Sequence, residues 1–342
     1  MKKLQDTFVF FLLVAFLFML PFLSDFVKEA VTNGIDICLR ELIPSLFPFL
    51  FFSSLLSSLA KDTLAEIFAP LFCPLFKISK SAVPAAVLGI LGGFPTGSAV
   101  AAKLYRENKI SKSEAERLPV FSNNAGIMFT LGTIGSGHFS SFKTGLLIYA
   151  LHIFSSVIAG LFTRGEKSSF KESRKDSPPI PDSALLPGFF ISSIRESVYT
   201  MGFICGNFII FRVVSRLISL IFGEGLLSGF LSGLLEVTGG VLSMPASRLG
   251  LCLTAFLLSF NGLCVHMQSL SFFAPLKLSL KKTFCWKIFS AFLSSFLMYL
   301  TLPENLLSEN SNPSVIIYII AVFIPTSFAL SYLFSKKRGA VN

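Results

Sequence analysis

Continuous apolar runs of about twenty residues recur along most of this sequence, and such runs leave few folds open. A helix needs roughly 20 apolar residues to cross the ~30 Å hydrocarbon layer, where every backbone N–H and C=O must be satisfied internally. Runs of this kind cover residues 8–23, 35–59, 118–138, 142–162, 197–222, 249–272, 284–302 and 314–334. They are continuous and do not alternate every second residue, which excludes a closed β-barrel. Composition agrees: 53% of the 342 residues are hydrophobic and 14% charged, too apolar for a soluble or a disordered chain.

Two further segments, 83–106 and 226–246, are apolar but interrupted halfway. The first carries Gly92-Gly93 with Pro95, the second Gly239-Gly240 with Pro245. Glycine permits the turn and proline removes a donor, so both are expected to be re-entrant hairpins that enter and leave on one side. The expected fold is therefore all-α and polytopic, with about eight transmembrane helices and two hairpins. Hairpins change no sidedness, whereas each span does. With a cytoplasmic N-terminus, 23 of the 29 basic residues then fall inside, the Lys277–Lys287 stretch among them. Both termini are expected in the cytoplasm of a bacterial cell.

Residues 1–34 read as a retained anchor helix, because Lys2 and Lys3 precede the first run and no small-residue cleavage site follows it. The polar stretch 164–185 reads as a cytoplasmic linker between units 35–163 and 186–302, and 303–342 as a last helix with a basic tail. The two units repeat one order of features: a span, a broken segment, a span opening or centred on Ser and Asn, and a span containing IFSS or IFSA. The charge count gives them opposite orientations. Inverted repeats with broken helices are the architecture of secondary transporters, whose site lies near the membrane midplane. Half-helix ends there expose N–H and C=O groups that bind ions without many buried charges.

The candidate binding residues follow from these breaks. In the first hairpin they are Pro95, Thr96 and Ser98, the alternative being a packed kink whose hydroxyls bond their own backbone. In the second, Glu236 lies among apolar residues, where an ionised acid costs roughly 2.5–3.5 kcal/mol on insertion scales. With Thr238 it is expected to bind substrate or a coupling cation, or else to pair structurally with Arg212 or Arg216. Arg212 is placed to attract an anion or form that ion pair. Asn123, Asn124, Asn261 and Gln268 offer amides that donate and accept at once, suited to recognition or to bonding between helices. The charged run from Lys103 to Leu118 is expected to be a solvated helical extension.

Other chemistries find little support. The six cysteines are scattered, the three histidines isolated, and no P-loop, G-x-S-x-G or H-E-x-x-H motif is present. No enzyme, resident cofactor or metal is expected, and a coupling cation or proton is left open. The net charge of +10 reads as membrane topology and not as nucleic-acid binding.

The strings ELIPSLFPFLFFSSLL, GGFPTG followed by SNNAG, GLLEVTGG and LSFNGLCVHMQ resemble the YlbJ family of sporulation integral membrane proteins. That family carries the nucleoside-recognition or Gate domain, which is also found in concentrative nucleoside transporters. The resemblance implies a site at the hairpin tips, with Glu236 and Asn261 matching the sugar-holding Glu and Asn and with Pro95 and Thr96 at the first tip. Here that tip reads Phe-Pro-Thr, without a Gln-Thr-Glu-like element, which is compatible with an anion. The implied role is movement of dipicolinate, a small aromatic dicarboxylate, across a forespore membrane. A nucleoside or other metabolite carrier, or a non-transporting sporulation scaffold, stands as the alternative. Expected partners are a small-molecule substrate, lipid, and a second copy or other sporulation membrane proteins.

Overall fold

The computed structural model describes residues 20–59, 61–164 and 186–302, with isolated positions before residue 20. Among them the chain is helical and no strand occurs. Four helices are long and apolar enough to cross a membrane: Phe142–Phe162, Leu186–Phe222, Arg248–Leu276 and Lys281–Thr301. A fifth is counted if the bent pair Thr63–Phe76 and Lys80–Gly92 is one span. Most of the expected span 8–23, the linker, the span 314–334 and both termini lie outside the described residues.

Among the described residues α1 (Ser24–Ile37) passes through a widened turn at Cys38–Leu42 into α2 (Ile43–Leu59). Residue 34, the expected end of the anchor, falls inside continuous helix. Residues 61–80, expected as a cytoplasmic loop, instead hold α3 (Lys61–Phe76), which meets the next helix at 106°. Ile67 and Leu71 on α3 are exposed, an arrangement suited to a membrane interface. Then α4 (Val83–Gly92) and α5 (Thr96–Arg106) fold back on each other around Gly93-Phe94-Pro95. Gly89 makes the close approach: a Cβ there would lie 2.7 Å from the Gly97 Cα and closer still to the Ser122 carbonyl.

A Ser111–Glu114 capping box starts α6 (Lys112–Ser122), each side chain bonding the other's backbone N–H. This corrects the expected solvated extension over 103–118, because Glu114 and Arg117 are buried. Arg117 donates to the Lys77 and Thr163 carbonyls, groups that otherwise end α3 and the later helix Phe142–Phe162 unsatisfied. The expected span 118–138 is not continuous either. It unwinds over Asn123–Gly126 and resumes as a helix with widened turns, α7 (Phe129–His138). Then comes α8 (Phe142–Phe162), at its expected place.

Next among the described residues is α9 (Leu186–Phe222), longer at its start than the expected 197–222. α10 (Leu226–Leu235) and α11 (Val237–Leu242) fold back with Gly233 against Gly240. Their break is at Glu236, not at Gly239-Gly240 as expected; those glycines lie within α11, where close packing needs them. α12 (Arg248–Phe260) and α13 (Gly262–Phe273) are separated at Asn261, and α14 (Lys281–Thr301) ends the described chain.

The long helix α9 orders the hairpins. At one end Glu196 pairs with Lys103 of α5 at 3.4 Å; at the other, Arg216 pairs at 3.4 Å with Glu224, just before α10. Glu196 and Arg216 are roughly 30 Å apart at 1.5 Å per residue. The hairpins therefore approach from opposite ends of α9. Their tips meet midway, where Phe94 shares a cleft with Glu236, Val237 and Thr238.

The glycine contacts give a direct check. Gly89→Ala presses a methyl into backbone on two sides and is expected to cost about 1–3 kcal/mol, as overpacking does. Gly202→Ala on α9, with open space around it, should be neutral or slightly stabilising. Thermal unfolding of the detergent-purified variants measures both; equal melting temperatures would contradict the hairpin packing.

Candidate functional site

Each interrupted helix leaves donors and acceptors at its break, and the four breaks lie against one another. Gly93, at φ +81°, stands so near Gly126 that a Cβ on it would lie 2.7 Å from the Gly126 Cα. Asn261 adopts the left-handed conformation at φ 76°, which asparagine tolerates better than most residues. Its Nδ2 donates to the Asn123 carbonyl at 2.8 Å, and Asn123 Nδ2 donates to Ser269 Oγ at 3.1 Å. Gly262 in turn lies against Val237 N and the Gly233 and Leu235 carbonyls. The Oδ1 atoms of Asn123 and Asn261 are buried without a hydrogen-bond partner among the described residues.

Beside this crossing lies a second polar cluster. Lys287 of α14 is fully buried, and its Nζ donates to Asn124 Oδ1 at 2.9 Å and Ser156 Oγ at 3.3 Å. Ser156 also donates to Asn124 Oδ1, and Asn124 Nδ2 to the Phe121 carbonyl at the end of α6. His152 joins the break to α12: the Ala125 N–H donates to its Nε2, and its Nδ1 lies 2.9 Å from Ser259 Oγ. The charge count had set Lys287 among the basic residues of the cytoplasmic side; it lies buried within the protein.

Glu236 occupies the junction of α10 and α11, 1% exposed. Its carboxylate accepts the Gly239 N–H, capping α11, and lies 3.6 Å from Arg212 Nη1. Arg212 also donates from Nε to Asn33 Oδ1. Two clefts open on either side of the pair. The inner, apolar one holds Glu236, Thr238 and Gln268 between Phe94, Ile204 and Phe208. The outer one, of about 440 Å³, is lined by Arg212, Arg216 and serines 215, 219, 228, 232 and 243.

The expected residues thus fall into separate groups. Glu236, Thr238 and Gln268 share the inner cleft, Arg212 bridges it to the outer one, and Pro95 sits at the first tip beside Phe94. Asn123 and Asn261 form the crossing of breaks, and Asn124 faces Lys287. Thr96 lines a different cleft near Lys103, and Ser98 is fully buried without a hydroxyl partner. Sequence reasoning passed over Lys287, His152, Phe94 and the serines of α9 and α10. A lysine well inside an apolar run was the available signal for the first. No cluster of three metal-ligating side chains occurs among the described residues.

The Lys287 cluster yields a stability prediction. Asn124→Leu removes the lysine's amide partner and is expected to cost ~3–5 kcal/mol, as breaking a buried charged pair does. Adding Lys287→Met should recover much of that loss, giving strong non-additivity in thermal unfolding. Additive effects would show that the two side chains are not coupled.

No family model matches the chain, and no solved structure matches it significantly. The sporulation integral membrane protein YlbJ of Bacillus subtilis (strain 168) is 28% identical over 220 residues, 53% of this chain and 54% of the relative. The chain thus aligns with about half the length of that curated relative. The apolar helices and this relative both indicate an integral membrane protein. Over that stretch the chain is similar to a sporulation integral membrane protein.

Proposed function

We propose that the protein is a transporter or facilitator of a small anionic metabolite, dipicolinate during spore formation, and that the anion binds where the two hairpin tips meet. In this reading the units 35–163 and 186–302 are inverted repeats within an eight-span protein of a forespore membrane, both termini cytoplasmic. The observation that carries it is the Arg212–Glu236 pair, set between a serine-lined cleft and the hairpin tips.

The chemistry suits a carboxylate. An arginine at the floor of a polar cleft offers a planar fork of donors matched to that group, and Arg216 one turn away supplies a second charge. Hydroxyls of the surrounding serines bind anions without adding charge. Glu236 does not repel the substrate outright, because its charge is taken up by the Gly239 N–H and Arg212. An arriving anion draws Arg212 away from Glu236 and loosens the link between α9 and the second hairpin. Binding is thereby coupled to movement of the tip.

Uptake of labelled dipicolinate into proteoliposomes tests this, with labelled uridine in parallel. Saturable dipicolinate flux is expected. Losing one charge-assisted hydrogen bond, roughly 1.5–3 kcal/mol, should make Arg212→Gln bind about ten- to a hundredfold more weakly. Glu236→Gln should bind the anion no less tightly yet also lose flux, because the link that couples binding to movement of the tip is gone. Uridine flux alone would assign a nucleoside carrier, and flux of neither a scaffold.

A further inference from the structure

A second polar cleft lies at the opposite end of α9 from Arg212, where α2, α5 and α9 meet. It is lined by Ser53 and Ser54, Thr96 and Lys103, and Glu196 with Ser197. The hydroxyls of Ser53, Thr96 and Ser197 are buried and have no hydrogen-bond partner among the described residues. An unpaired buried hydroxyl costs about 1–3 kcal/mol, so three lining one cleft indicate that water or a polar solute occupies it. Glu196 stands at this end, accepting from Ser54 Oγ at 2.7 Å and from Lys103 Nζ at 3.4 Å.

The three clefts share one wall. Ser197 and Thr200 line the first, Ile204 and Phe208 the middle one, and Ser215 and Ser219 the last with Arg212. These positions recur at intervals of three or four residues, so they form one stripe along α9. From Ser197 to Ser219 the stripe runs roughly 33 Å, about the thickness of a hydrocarbon core. Its ends are polar and its middle apolar, where Phe94 from the first tip faces Ile204 and Phe208. The other side of α9 carries the exposed apolar residues Val198, Tyr199, Ile210 and Ile221, as a lipid face would.

We propose that this stripe is the wall of an aqueous path through the protein, constricted at Phe94 and Phe208, and that the Lys103–Glu196 pair closes the mouth opposite Arg212. The path rests on the transporter reading only for the identity of what passes. The lysine at this mouth suits an anion, which competes with Glu196 for it.

Cysteine accessibility tests the path without a substrate. In a variant with the six native cysteines replaced, single cysteines are placed at Ser197, Thr200, Ser215 and Ser219, and at Val198, Ile210 and Ile221 as controls. A membrane-impermeant, negatively charged methanethiosulfonate should label the stripe at least about tenfold faster than the controls, reactivity following exposure. Labelling of the first two should come from one side of the membrane and of the last two from the other. Glu196→Gln, which opens the pair and leaves the lysine free to attract the anionic reagent, should speed labelling at 197 and 200 alone. Stripe positions no faster than the controls would overturn the proposal. If the cysteine-free variant does not fold, hydroxyl-radical footprinting of the native protein replaces it: Phe208 should oxidise faster than Phe273, which is also buried but lines none of the three clefts, and equal rates would overturn the path. Labelling without dipicolinate flux would leave the path standing and remove the substrate; flux with an unlabelled stripe would do the reverse.

Discussion

Helices that stop inside an apolar environment must find partners for the backbone groups they expose, and this requirement organises the protein. Four helical elements break, near Gly93, over Asn123–Gly126, at Glu236 and at Asn261. Any one of these alone would leave unpaired polar groups costing several kcal/mol each. Brought together, they pack closely and share a bond: Asn261 donates to the Asn123 carbonyl, while Gly262 lies against Val237 and Gly93 against Gly126, and the Ala125 N–H finds His152. The glycines and asparagines at these points are the residues that permit left-handed turns and close backbone approach.

Charge is placed by the same logic. Glu236 ends one half-helix and caps the next, so its carboxylate meets the positive end of α11 before it meets Arg212. Lys287 has no carboxylate within ion-pair distance among the described residues and is held by amide and hydroxyl oxygens near the C-terminal end of α6, where helix carbonyls favour a cation. Each buried charge thus sits at a helix end of the matching sign. The surface pairs Lys80–Glu66 and Lys112–Glu116 are exposed to solvent on at least one partner and contribute little by comparison.

Much of the helical order was legible. Runs at 142–162 and 284–302 became α8 and α14 within a few residues, and the Gly92-Gly93-x-Pro95 break marked the first hairpin tip. The second tip was misplaced because two glycines are ambiguous: they serve a turn or a close helix contact, and here α11 needed the contact with Gly233. The Asn261-Gly262 dipeptide was a readable turn signal inside an apolar run, overridden by the length of that run. Glu236 and Arg212 could be paired from sequence, since few charges occur among apolar residues. That Thr96 and Asn124 serve different clusters could not, because it depends on how α5 packs on α2 and α14 on α8.

A cryo-EM map of the full-length protein in lipid nanodiscs with dipicolinate tests the central claim most directly. The account predicts ligand density beside the Arg212 guanidinium, in the serine-lined cleft at the second hairpin, with the chain unwound at Asn123–Gly126 and Asn261. Continuous helices through those positions, or ligand density confined to the lipid face, would contradict it.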